Sequence, residues 1–462
     1  MKGRMIFRVN SAFIGLTVFA LVFLVQSLFI GPVCHGQIRI TREAEISSKN
    51  PIVRSLALSS DSTDLRKLIV RTSHGNYPYG SWPINKPRGY RFAVYDEGRE
   101  FVYDPASDVQ VCEKTNTALV EQFFPSLTIE EMRANKGDSK MLYSYYHPYK
   151  CLVWQRSYYC VEGTLRSAVY LSPSGYVVEF SRFSGELRFI NPQGEVFQTA
   201  QLYDMKNVSM EALEGSVETA LMLYKDGRKQ NFSADGKIFA FMLDQAASLG
   251  YESGCIIFAF NERGQQLFRR NIKLNIHDYL VVSPGGDRIL ASAHHIGRGS
   301  RGEASGIASA KCLLLNDKGD IIREINALCR DLTFSESGKY LMINDHGKTA
   351  LVLASQDGRE VFRFDAPKDR RIVGLSINER SGLMGIIVGS GFITRIDAEL
   401  EFRFLLLDGR EKGRLKMNIP GHRVTGNPWS YSLLFNKDAT KFAFSFVGRD
   451  LQINKISYGE IE

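Results

Sequence analysis

The chain is short of the local motifs that carry common enzyme chemistry. It has no Gly-x-Ser-x-Gly turn, which excludes the nucleophile elbow of the α/β-hydrolases. It has no P-loop and no Gly-x-Gly-x-x-Gly leading into a helix, so nothing is shaped to cradle a nucleotide's phosphates. Its seven cysteines include no Cys-x-x-Cys pair, which excludes a zinc ribbon and a thioredoxin-like redox site. The net charge of +8 is scattered without any long block of one sign, and that argues against a nucleic-acid partner. Proline is scarce, at 14 residues against 40 glycines, a balance that suits many tight turns. No residue pattern calls for a cofactor, a metal or a catalytic group.

What the chain does have is apolar surface to bury. Of its 462 residues 44% are apolar, 23% charged and 11% aromatic, which supports a large core and excludes wholesale disorder. The first 36 residues differ in texture. Lys2, Arg4 and Arg8 make a basic start, Ala12 to Ile30 is nearly all apolar, and Gly31-Pro32-Val33-Cys34-His35-Gly36 breaks the run. This is the layout of a secretory signal, with cleavage expected after Gly36, and it predicts export to a periplasm or the cell exterior. The run is also long enough to span a bilayer, so the rival is an uncleaved anchor, the one route to a membrane. Pro32-Val33 fits poorly before an acylated Cys34.

Six further cysteines follow: Cys112, Cys151, Cys160, Cys255, Cys312 and Cys329. An even number suits disulfides in an oxidising compartment. Cys151 and Cys160 are the expected pair, because a short hairpin would bring their Cα atoms within bridging range. Cys255 and Cys312 fall at matching positions of successive repeats, which would place them near each other. A buried free thiol is the plain alternative for each.

Repetition is the dominant signal. Polar turns recur at Ser172-Pro173-Ser174-Gly175, Ser233-Ala234-Asp235-Gly236, Ser283-Pro284-Gly285-Gly286 and Ser335-Glu336-Ser337-Gly338, with looser copies at 378–382 and 436–439. Serine or asparagine bonds its own turn backbone, and glycine supplies positive φ. A second class follows each of these, as in Asn191-Pro192-Gln193-Gly194, Asn261-Glu262-Arg263-Gly264, Asn316-Asp317-Lys318-Gly319 and Ser355-Gln356-Asp357-Gly358. Each turn joins two apolar runs, so every unit holds four strands, a to d, with tight a–b and c–d turns and a variable b–c connection. Such units are what β-propeller blades require. Counting them gives an all-β chain over 37–462 of about seven four-stranded blades. The last unit runs out after its third strand, and Gln37-Ile38-Arg39-Ile40-Thr41 is expected to supply the fourth and close the ring. Residues 105–165 do not fit the unit. They hold an expected helix with a Thr128/Glu131 capping box and a run of aromatics, and read as a partly helical insertion, with a degenerate eighth blade as the rival.

The Ser-x-Asp/Ser-Gly-Lys turns, with Gly421-His422-Arg423-Val424 leading to Phe435-Asn436-Lys437-Asp438, resemble the WD-repeat-like and TolB-like propellers across roughly residues 50–458. That resemblance implies a platform for interaction rather than an enzyme. No Trp-Asp dipeptide ends any blade, so the buried network that the dipeptide helps build in that family is not implied here.

Candidate binding residues come from loop placement. The a–b and c–d turns share one end of each unit; the long connections 73–89, 243–254, 293–310, 105–165 and 201–228 fall at the other, where binding usually resides. The 293–310 connection carries His294, His295, Arg298 and Arg301, a polar loop suited to an acidic partner; two adjacent histidines hold a metal only with a third ligand. Tyr145, Tyr146 and Trp154 would anchor a ligand if exposed, and pack a subdomain otherwise. The reading is an exported, non-enzymatic module for a protein or peptide partner. An enzyme working at a central channel, or a small-molecule or glycan site on the aromatics, are its rivals.

Overall fold

The computed structural model describes residues 38–46, 51–58, 65–73, 90–96, 99–106, 108–112, 114–124, 128–135, 139–160, 168–181, 184–202, 231–245, 254–272, 276–298, 304–327, 329–390, 398–419, 431–447 and 454–461. The signal or anchor segment, Arg301 and Gly421 to Val424 lie outside them. No helix among the described residues is long and apolar enough to cross a membrane.

The described chain is strands, with one short helix, gathered into eight antiparallel sheets. β1 (Ile38–Ile46) comes first. A four-stranded sheet follows from β2 (Pro51–Leu58), β3 (Leu65–Ser73), β4 (Tyr90–Asp96) and β5 (Arg99–Ala106). The next runs β6 (Asp108–Cys112), β7 (Thr117–Phe124), α1 (Ile129–Asn135), β8 (Ser139–Tyr146) and β9 (Leu152–Cys160), with its four strands in that order. Then come β10 (Ala168–Leu171), β11 (Val177–Ser181), β12 (Glu186–Ile190) and β13 (Val196–Gln201). β14 (Ile238–Gln245), β15 (Gly254–Asn261) and β16 (Gln266–Ile272) form a three-stranded sheet. Its first-strand place is taken by Asn231 and Phe232, which bond to Ala240 and bridge to Phe239.

The pattern continues through β17 (Ile276–Val282), β18 (Arg288–Arg298), β19 (Ala304–Asn316) and β20 (Ile321–Ile325). It repeats in β21 (Cys329–Phe334), β22 (Tyr340–Asp345), β23 (Thr349–Ala354) and β24 (Glu360–Asp365), and in β25 (Arg370–Asn378), β26 (Leu383–Ser390), β27 (Ala398–Leu406) and β28 (Glu411–Ile419). The last sheet has the order β1-β31-β30-β29, built from β29 (Tyr431–Phe435), β30 (Lys441–Val447) and β31 (Asn454–Ile461). Its fourth strand is thus the N-terminal one, as expected, with Ile38 opposite Ile461.

The segment 105–165, read as an insertion, is itself one of these sheets. It escapes turn counting because its a–b turn lacks the Ser…Gly signature: Asn116 takes the positive-φ place, at 53°. Its helix is as expected, with Thr128 Oγ accepting from the Glu131 amide at 3.2 Å and Glu131 accepting from the Thr128 amide at 3.2 Å.

By compactness the chain divides into two units, one of 1–73, 91–102 and 376–462, the other of 74–90 and 103–375. In the second, the core lies between successive sheets. Phe180 and Phe189 of one sheet meet Phe239, Phe241, Phe258 and Phe260 of the next. First strands of neighbouring sheets pack on each other, β6 on β10 and β17 on β21. Consecutive four-stranded meanders packed this way are the blades of a β-propeller.

The turns work as their residues require. Gly175, Gly236, Gly286 and Gly338 each donate an amide hydrogen bond to the serine three positions earlier. In the second of these, burial acts to raise the Asp235 carboxyl, but hydrogen bonds from Ser233 Oγ and the Lys237 amide, with the Lys237 ammonium at 3.0 Å, outweigh it and hold the group at about 2. A carboxyl depressed in the folded state adds stability above its unfolded value and loses it as pH falls through about 2. An NMR titration should therefore show Asp235 still ionised at pH ~3, below the usual aspartate value, and Ser233→Ala should move its midpoint upward. An unchanged midpoint would remove the hydroxyl from this account.

Candidate binding face

In a meander the a–b and c–d turns share one end of the sheet and the b–c connection has the other, so the irregular connections gather at b–c ends. Among the described residues two of these carry structure. One holds α1, whose Ile129 is 63% exposed, the most open of the large apolar side chains described. The other is β18–β19. The 293–310 segment, expected as a flexible loop, instead continues both strands, to Arg298 on one side and from Ala304 on the other. His294 pairs with Ile276 and Ala310, His295 with Ser309, and Arg298 with Ala304. Ladder hydrogen bonds between the two strands outweigh the turn tendency of the glycines there, at the cost of register shifts after His295 and Gly297.

This hairpin outgrows its own sheet. β17 accompanies β18 only as far as His294, and β20 accompanies β19 only from Cys312 onward. Beyond those points, 295–298 and 304–311 form a two-stranded ribbon with no further strand paired on either side among the described residues. Ribbon edges of this kind present backbone donors and acceptors to another chain.

The aromatic candidates sit elsewhere and do other work. Tyr145 is 2% exposed; its ring stacks on Trp154 at 5.1 Å and 10°, and its hydroxyl donates to the Gly175 carbonyl at 2.7 Å. Trp154 lies under the c–d turn of the next sheet, where a Cβ on Gly194 would stand 2.8 Å from the indole. Tyr146 faces the other way and tilts against Tyr103 at 5.3 Å. Tyr145 and Trp154 therefore join the β6–β9 sheet to the β10–β13 sheet, and neither side chain forms an open platform. Strand alternation puts Tyr143 and Tyr145 on the buried face together.

Sequence reading missed Glu179. Its side chain is only 1% exposed, between the two sheets just named. Tyr158 donates to it, Arg188 approaches to 3.3 Å and Arg156 to 3.6 Å. Burial raises the carboxyl above its ordinary value, against the opposing pull of Tyr158, Arg156 and Arg188. Its mark in the sequence is a lone acid inside the apolar run Val177-Val178-Glu179-Phe180. Its contacts with β9 and β12 make it a polar fastening between the two sheets.

The expected Cys151–Cys160 bridge does not form: Cys151 is a free, exposed thiol, on a turn that points it outward. Cys255 is buried among Ala240, Ile257 and Leu280. Cys312 is disulfide-bonded. Among the described residues no three His, Cys, Asp or Glu side chains come together as a metal site.

No protein-family model matches the chain, and no curated protein matches it. Solved structures do resemble it. One is the Dos1 propeller, at 11% identity and a TM-score of 0.49, covering 92% of this chain and 95% of that one. Another is BamB from Moraxella catarrhalis, at 11% and 0.45, covering 91% and 99%. A third is Sqt1 from Saccharomyces cerevisiae, at 11% and 0.46, covering 90% and 97%. At these identities and TM-scores the likenesses carry no argument; the β-propeller fold rests on this chain's own packed four-stranded meanders, and the function has to be argued from its own residues.

Proposed function

We propose that this chain is an exported, non-enzymatic binding module that takes a protein or peptide segment at the b–c end of its sheets, chiefly along the β18–β19 ribbon. The observation that carries the reading is the ribbon's growth past its flanking strands, which leaves both backbone edges without a paired strand among the described residues. Arg298 and the nearby Arg301 favour an acidic segment. Export is supported by the basic-then-apolar start of the chain and by the disulfide on Cys312, since such bonds persist in oxidising compartments.

Cross-linking with mass spectrometry on the native exported protein tests it. Replacing 296–303 with an Asn-Gly turn should cut recovery of the partner about tenfold or more, while stability moves by no more than ~0.5 kcal/mol, as for other surface changes. Undiminished recovery from the shortened chain would end the proposal. So would a native protein that yields a bound metal or small molecule and no protein.

A further inference from the structure

The disulfide on Cys312 has a definite place in the fold. Cys312 is 0% exposed and packs with Leu290, Leu314, Ala327 and Leu332, between its own sheet and the β21–β24 sheet. Its Sγ stands 3.6 Å from the Ala327 carbonyl oxygen. Ala327 lies where the chain leaves β20 for the next sheet, and β21 opens two residues later with Cys329. β19 and β21 also approach each other directly. Bridged cysteines need Cα atoms within about 7 Å, so the partner of Cys312 has to come from backbone beside Ala327.

The other cysteines are in the wrong place or state. Cys112 and Cys151 are free thiols. Cys255 packs with Ala291 and Leu313, in the core on the opposite face of the β17–β20 sheet. Cys160 ends β9, and two sheets stand between it and the sheet of Cys312. Cys34 falls in the segment expected to be cleaved. We infer that Cys312 is bonded to Cys329, a covalent tie from the third strand of one sheet to the first strand of the next. Its formation turns two thiols into one disulfide; the two electrons and two protons pass to the disulfide of an exchange partner, which leaves as two thiols. Cys312 is also the point at which β20 parts from β19, so the tie anchors the foot of the ribbon whatever the ribbon binds.

Tryptic mapping of the native exported protein tests this, with free thiols alkylated in denaturant and no reductant added. Trypsin releases Cys312 in the peptide Cys312 to Lys318 and Cys329 in the peptide Glu324 to Arg330, and these two should appear joined. In Cys329→Ser, Cys312 should be recovered alkylated. Amide exchange over 304–311 should also rise about threefold or more in that variant, because the foot of the ribbon is no longer held. The map of the native protein does not require the variant to fold. Cys312 recovered alkylated from the native protein, or joined to Cys160, to Cys34 or to a cysteine of a second copy, overturns the inference. So does a variant in which Cys312 stays linked. Unchanged exchange in a folded variant would take away the anchoring role.

Discussion

Glu179→Ala is expected to lower the stability of the folded chain by about 3 kcal/mol, because it leaves two guanidinium groups and a tyrosine hydroxyl facing an empty pocket between sheets. The figure is set at the low end for a broken buried pair because the Arg156 and Arg188 side chains are each 29% exposed and retain some water. Removing the whole cluster should cost less than removing its anion. Burial dominates the shift at Glu179, which means that the arginines do not fully offset desolvation of the carboxylate. Glu179→Leu combined with Arg156→Met and Arg188→Met is thus expected within ~1 kcal/mol of the native chain. The pH dependence has a definite sign. A carboxyl raised in the folded state gives its full contribution below its unfolded value, near 4.5, and loses it as pH rises through the folded value. Denaturant midpoints measured from pH ~4 to ~8 should fall less steeply in Glu179→Gln than in the native chain. Equal slopes would remove Glu179 as the source, and a single-alanine loss under ~0.5 kcal/mol would mean that the contact contributes little.

Gly264→Ala should cost about 3 kcal/mol, from two separate causes. The residue sits at φ +73°, and a Cβ there would stand 2.6 Å from Gln198 Cγ and 2.7 Å from the fully buried Phe189 ring. Backbone strain accounts for about 1 kcal/mol, and overpacking against a ring that cannot retreat for the remainder. Gly409 separates the two. It has φ +86° at a corresponding c–d turn but nothing within 4 Å of the added carbon. Gly409→Ala should therefore lose only the strain, about 1 kcal/mol. Similar losses at both positions would show that the approach of the β13 strand to this turn carries no energy.

These two sites differ in how far the sequence reveals them. Gly264 is legible from Asn261-Glu262-Arg263-Gly264 alone, because a side-chain acceptor followed by a positive-φ residue specifies the turn locally. All four turns of that class, and all four Ser…Gly turns, appear where the residues place them. Glu179 is visible only as an acid in an apolar strand; Arg188 faces it from the next strand of the same hairpin, but Tyr158 and Arg156 come from β9 of the preceding sheet, a contact that only the packing of the sheets makes. The sheet at 108–160 hid for a related reason, with Asn116 in the turn place that glycine fills elsewhere.

The sequence by itself determined the turns, and through them the four-stranded units and the short helix, because hydrogen bonds over a few residues and the sign of φ are local properties. Tertiary structure decided which faces those strands bury. It packed Tyr145 and Trp154 between sheets, left Cys151 unpaired and extended β18–β19 into a ribbon. Those outcomes depend on register and on neighbours far along the chain, where a shift of one residue turns every side chain to the opposite face.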